Sequence, residues 1–144
     1  MFTSTRIKNC QEKDFEPQID STQHYAEYLG GIRIERKGDL SYNNDFQNES
    51  LDDYFTSIQM ISNSILLKKF KLRSKNSSCS YYRLFSEKIL NEKEYDLIEE
   101  VRINRNLIHY NAYESSLISE EDINDLVKKA KSIISNLKKS YEEL

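Results

Sequence analysis

Residues 119–144, SEEDINDLVKKAKSIISNLKKSYEEL, carry the pattern that decides the fold class. Ile123, Val127, Ala130, Ile134, Leu137, Tyr141 and Leu144 alternate spacings of four and three, so one face of a helix is apolar along its whole length. Ser119 stands before Glu120, Glu121 and Asp122, and lysines fill the later turns, the distribution that an N-cap and the helix dipole favour. The spacing predicts a helix opening at Ser119 and running to about residue 142. Its seam of three heptad repeats is too short for a free coiled coil, so the stripe is expected to face the core of a bundle.

Three more helices precede it. The first is expected over about 51–71: Ser50 and Asp53 form a capping pair, and Leu51, Tyr54, Phe55, Ile58, Ile61, Ile65 and Leu66 recur at helical spacing. A shorter one is expected over about 79–90, carried by Tyr81, Leu84, Phe85 and Ile89. Asn91 with Glu94 three residues on reads as the cap of a helix over about 92–113, whose apolar stripe is expected to be Leu97, Val101 and Ile108 with Ile103 and Leu107 beside it. Glycine and proline usage agrees: the glycines are Gly30, Gly31 and Gly38, the proline is Pro17, and nothing after residue 38 punctuates the chain as a sheet with tight turns would require.

The N-terminal third reads differently. Asp20 is a candidate cap for a short helix over roughly 21–29, which Gly30-Gly31 would stop. Ile32-Arg33-Ile34-Glu35 then alternates like a strand, with Lys37-Gly38 as a turn into Leu40-Ser41-Tyr42, and residues 43–49 have the composition of a loop. The fold class is therefore all-α, an antiparallel four- to five-helix bundle with a small N-terminal hairpin extension. Residues 1–49 form a segment packed on the bundle and 50–144 its helical core, in a single domain overall.

Composition fits a soluble intracellular domain. A content of 38% hydrophobic and 31% charged residues is ordinary for a globular protein. There is no run of about 18 apolar residues to span a membrane, and MFTSTRIKNCQEKDFEP lacks the apolar centre of an export signal. Cys10 and Cys79 are accordingly read as free thiols in a reducing compartment, the cytoplasm. No cysteine or histidine stands at ligand spacing from them, so neither a metal nor another cofactor is expected. The net charge of −3 argues against nucleic-acid binding over the whole surface, because non-specific affinity comes from phosphate neutralisation. A local footprint is still available in Lys68, Lys69, Lys71 and Arg73, with Lys75 beyond them. The plainer account of that run, cations complementing the C-terminal dipole of a helix, is favoured.

One stretch carries chemistry: Arg102-Ile103-Asn104-Arg105-Asn106-Leu107-Ile108-His109. At 3.6 residues per turn Arg102 and His109 are nearly eclipsed, and Arg105, Asn106 and Tyr113 fall within about 60° of Arg102. A proton carrier, two fixed cations, an amide and a phenol thus share one stripe.

This run resembles the motif of the HEPN superfamily, an arginine followed after four to six residues by a histidine, often with an asparagine directly after an arginine. Here Arg102 and His109 are separated by six residues, and Arg105-Asn106 stands where the family shows its Arg-Asn pair, although only three residues part Arg105 from His109. Many members carry a tyrosine two places after the histidine; this chain has Asn111 there, flanked by Tyr110 and Tyr113. The resemblance implies a metal-independent endoribonuclease acting as a homodimer through the motif helix, of the kind that serves as a toxin or antiviral effector. It also implies an antitoxin partner, in related systems a small nucleotidyltransferase that modifies a tyrosine near the histidine, for which Tyr110 or Tyr113 would be the acceptor.

The residue types suit that chemistry on their own terms. Cleavage by the 2′-hydroxyl needs a base, an acid and a cation for the phosphorane charge. An unperturbed imidazole titrates at about pH 6.5, which suits His109 to acid or base work, and Arg102 or Arg105 offers a permanently charged fork. Asn106 suits the phosphate or ribose, and Tyr110 or Tyr113 a base or phosphate oxygen. One histidine does not comfortably serve as both acid and base in one step, and His24 has no sequence reason to pair with His109. A two-fold dimer seam would supply a second His109. The same stripe also suits a non-catalytic helical module that binds a nucleotide, RNA or a partner protein.

Overall fold

The computed structural model describes residues 10–18, 20, 22–76, 78–110 and 119–144, with the side chains of His109 and Tyr110 outside that set. These residues form an all-α helical bundle. Helix α1 spans His24–Asn43, α2 Gln47–Ile65, α3 Cys79–Ser86, α4 Glu92–Tyr110 and α5 Glu120–Glu142. A minimal antiparallel sheet pairs β1 (Phe15–Pro17) with β2 (Leu72–Ser74), Glu16 lying opposite Arg73.

Contacts between named residues fix the helix directions. Gly31 lies against Ile61 and Gly38 against Tyr54, so α1 and α2 are antiparallel. His24 bonds Tyr141 and Tyr42 bonds Asn124, which makes α1 and α5 antiparallel as well, and α2 and α5 therefore parallel. Asn136 donates to Glu94, while Leu97 shares a groove with Lys129 and Ile133, so α4 runs antiparallel to α5. The core gathers Leu51, Phe55, Ile58, Ile61 and Ile65 of α2 with Tyr81 and Leu84 of α3, Tyr95, Ile98 and Val101 of α4, and the apolar stripe of α5. Ile123, Val127, Ala130, Ile134, Leu137 and Tyr141 are buried as the heptad spacing requires, and Leu144 is exposed beyond the end of the helix. Ser119 caps α5, its hydroxyl accepting from Asp122 N at 3.1 Å.

The hairpin expected at 32–42 is not formed. Instead α1 passes unbroken through all three glycines. A Cβ at Gly30, Gly31 or Gly38 would fall 2.5–2.6 Å from Met60, Ile61 or Tyr54 respectively, so the glycines are the contact surface that lets α1 approach α2. Ser57 seals that approach by donating to the carbonyl of Gly31 at 2.8 Å. Burial against α2 outweighs the roughly 1 kcal/mol that a helical glycine costs. The small sheet that does exist joins the chain before α1 to the chain after α2.

Boundaries also move. α2 begins at Gln47, so Ser50 lies inside its first turns, fully buried, rather than capping it, and the expected boundary at 49/50 cuts this helix. Its far end widens into a π-helical turn, Leu66–Phe70, closed by Lys71 at φ 55°, a left-handed position that stops the helix as expected near 71. On α4 the buried face is Tyr95, Ile98 and Val101; Leu97 and Ile108 are partly buried and Leu107 is exposed, so the core face is rotated from the expected stripe.

Cys10 and Cys79 are not free thiols. They form a disulfide, brought together because the β1–β2 ladder lays the N-terminal segment beside the start of α3. Arg83 reinforces the strap by pairing with Glu12 at 2.9 Å and covering the Phe15 ring. The bond spans 69 residues of chain, worth about 4 kcal/mol of loop-closure entropy on a chain-entropy estimate. The reducing-compartment reading of the cysteines loses its basis with it.

Candidate active site on helix α4

Helix α4 is started by a reciprocal cap. Asn91 Oδ1 accepts from Glu94 N at 2.8 Å, and Glu94 Oε1 accepts from Asn91 N at 3.0 Å, as the Asn-x-x-Glu spacing predicts. From there the helix is continuous to Tyr110, so positions 102, 105, 106 and 109 occupy an arc of about 100°. The helix thus presents Arg102, Arg105 and Asn106 together, and His109 follows on the same register. Tyr113 and the side chains of His109 and Tyr110 lie outside the described residues.

Each arginine is anchored through Nε by a carboxylate. Arg102 donates to Glu99 Oε2 at 2.5 Å, one turn back on α4, and Tyr95 OH donates to the other oxygen of the same carboxylate at 3.1 Å. Arg105 donates to Asp52 Oδ1 at 2.7 Å on α2, and its guanidinium lies 5.2 Å from the centre of the Phe55 ring. Arg105 Nη1 also reaches Asn106 Oδ1 at 3.3 Å, and Asn104 Nδ2 donates to the carbonyl of Glu100. The anchors differ in burial: the Glu99 side chain is 1% exposed and that of Asp52 36%. The arginine side chains themselves remain 27% and 30% exposed, so both are held and both reach the surface. Chemically the arrangement is a pair of oriented cations and an amide on one helix face, suited to phosphate oxygens.

The basic run lies elsewhere. Lys68 donates to the Tyr141 carbonyl at 3.1 Å and sits over the Tyr141 ring, which ties it to the C-terminal end of α5. Lys69 lies over Phe70, Lys71 is the left-handed residue, and Arg73 pairs with Glu27 at 3.3 Å. Asp52 lies in the second turn of α2 and Lys68 in the π-helical turn that follows its far end, so Arg105 and the lysines are about the length of α2 apart. His24 belongs to the lysine end, its Nδ1 2.7 Å from Tyr141 OH. A groove of about 300 Å³ lies between α4 and α5, but along Leu97, Lys129, Ile133 and Asn136 rather than at the arginines. Among the described residues no cluster of histidine, cysteine, aspartate and glutamate is arranged to hold a metal ion, and no helix is long and apolar enough to cross a membrane.

Sequence reasoning missed Glu99 and Asp52. A signal for Glu99 was present: Tyr95, Glu99 and Arg102 are spaced four and three apart, beside the buried Ile98. Asp52 had none, because its partner is 53 residues away. No protein-family model, no curated protein and no solved structure matches this chain.

Proposed function

We propose that the protein is a HEPN-type, metal-independent endoribonuclease whose site is the Arg102–His109 face of α4. The observation that carries the reading is the unbroken helix to Tyr110, on which two anchored, surface-reaching arginines and Asn106 share the arc that also takes position 109. In this reaction the ribose 2′-oxygen bonds to phosphorus as its proton passes to a base. The bond to the 5′-oxygen breaks as an acid protonates it, leaving a 2′,3′-cyclic phosphate and a free 5′-hydroxyl. His109 serves as acid or base, and a second His109 from a two-fold related copy supplies the complementary role in a composite dimer site. An arginine fork stabilises the phosphorane oxygens, and Asn106 holds phosphate or ribose.

The substrate is cellular or invading RNA, and the biological role is that of a toxin or antiviral effector. A neutralising partner, such as a small nucleotidyltransferase acting on Tyr110 or Tyr113, belongs to the same proposal. The competing reading, a non-catalytic module binding a nucleotide, RNA or a partner protein, draws on the ion pairs to Glu99 and Asp52, which give both arginines a structural purpose. Expression in cells separates the two. Severe growth inhibition relieved by His109→Ala supports the nuclease, whereas unhindered growth with abundant folded protein supports the module.

A further inference from the structure

Glu99 is the least expected group on α4. Its side chain is 1% exposed, and a carboxylate is costly to bury there unless it is paired and hydrogen-bonded. Its bonds to Tyr95 and Arg102 are four residues back and three residues on, so they hold the carboxylate and the guanidinium to one another within a single helix. Neither bond joins α4 to a neighbouring helix. Tyr95 is in turn fixed by aromatic packing: it stacks on Phe85 of α3 at 4.8 Å and meets Tyr82 edge-on at 6.2 Å. The order of support therefore runs from the α3 aromatics to Tyr95, from its hydroxyl to Glu99, and from Glu99 to Arg102.

Such an arrangement sets the angle of one guanidinium. A carboxylate at Nε holds one edge of the planar fork, and by covalent geometry the edge formed by the two terminal nitrogens then points in a defined direction. Arg105 is held at Nε too, but by a carboxylate that is 36% exposed and on a different helix, so solvent competes for that pair. A cation that must meet a developing phosphorane is most effective when it is already oriented and needs no reorganisation.

Resting on the nuclease reading above, we infer that Glu99 is a positioning residue that orients Arg102, and that Arg102 rather than Arg105 meets the scissile phosphate. Glu99 itself touches no substrate.

The test is steady-state cleavage of a structured RNA in EDTA, with melting curves on the same preparations. Glu99→Gln keeps the shape and removes the anionic partner. It is expected to lower kcat about 100-fold, the loss typical of one mis-set transition-state donor, while KM stays within about threefold. Tyr95→Phe removes one bond to Glu99 without changing the packing and should lower kcat by about three- to tenfold, again with little change in KM. Asp52→Asn should lower kcat less than Glu99→Gln does, since the pair it breaks is about a third exposed. If Glu99→Gln is folded and retains wild-type kcat, or if Asp52→Asn causes the larger fall, the inference is overturned and the nuclease reading stands. Should Glu99→Gln not fold, Tyr95→Phe decides by the same criterion, unchanged kcat overturning the inference. A folded wild type that cleaves no RNA overturns the nuclease reading itself, and this inference with it.

Discussion

Two buried glutamates show two uses of a carboxylate in one bundle. Glu35 of α1 is 3% exposed and is met by two lysines of α5, Lys131 at 2.7 Å and Lys138 at 2.9 Å. Lys131 also reaches Asp39 at 2.8 Å, and Asp39 accepts from Tyr54 of α2, so this network stitches three helices together. Glu99 of α4 is buried at least as deeply, yet its bonds to Tyr95 and Arg102 remain within its own helix. The first arrangement fixes how helices sit against each other, and the second joins a buried carboxylate to one surface-reaching cation on the same helix. Burial of charge alone therefore does not tell a tie between helices from a pairing along one helix; the partners of the hydrogen bonds do.

The comparison breaks most visibly at the arginines. Arg102→Ala should reduce RNA turnover by about 100- to 1,000-fold, whereas Arg105→Ala should cost far less turnover and appear mainly in the melting temperature. Equal losses in kcat from both substitutions would erase the distinction between them. At the α1–α5 seam the expected effect has the opposite character. Glu35→Ala removes the shared partner of Lys131 and Lys138 and should destabilise the fold by about 3 kcal/mol, the low end for a broken buried pair, because both lysines reach solvent and Lys131 retains Asp39. Turnover per folded molecule should not change, and a chemical-denaturation series run beside the cleavage assay checks both halves.

The smallest effect is in alkali. Burial pushes the Lys131 ammonium toward deprotonation, but its bonds to Asp39 and Glu35 outweigh that and hold it above its usual 10.5. A lysine with a raised folded value contributes stability that is fully present below about pH 10.5 and is lost as pH rises through the folded value. Tyr28 and Tyr54 are raised by burial and by their bonds to Glu142 and Asp39, which adds to the alkaline loss with the same sign. Lys131→Met should flatten the fall in melting temperature above pH 10.5, leaving the share due to the tyrosines. An identical pH profile in wild type and variant would remove Lys131 from the account.

Much of the bundle was legible because helix periodicity is local. The stripe of α5, its Ser119 cap and the Asn91–Glu94 cap of α4 need only residues within a few turns. What failed needed a neighbour distant in sequence. Gly30, Gly31 and Gly38 read as breakers because their purpose, room for Met60, Ile61 and Tyr54, lies on another helix. Cys10 and Cys79 read as separate thiols because only the β1–β2 pairing, itself too short to register in the sequence, brings them together. At the candidate site the cluster on α4 was legible as a helical stripe. Asp52 was not, since it is on α2, and the Tyr95-Glu99-Arg102 spacing that marks Glu99 went unread.

The central claim meets its most direct test in cleavage of a structured RNA in excess EDTA by purified wild type and His109→Ala, with the product ends mapped. The account predicts wild-type products carrying a 2′,3′-cyclic phosphate and a 5′-hydroxyl, and none from the variant. Cleavage that survives in His109→Ala, or that disappears from the wild type when the chelator is added, would contradict it.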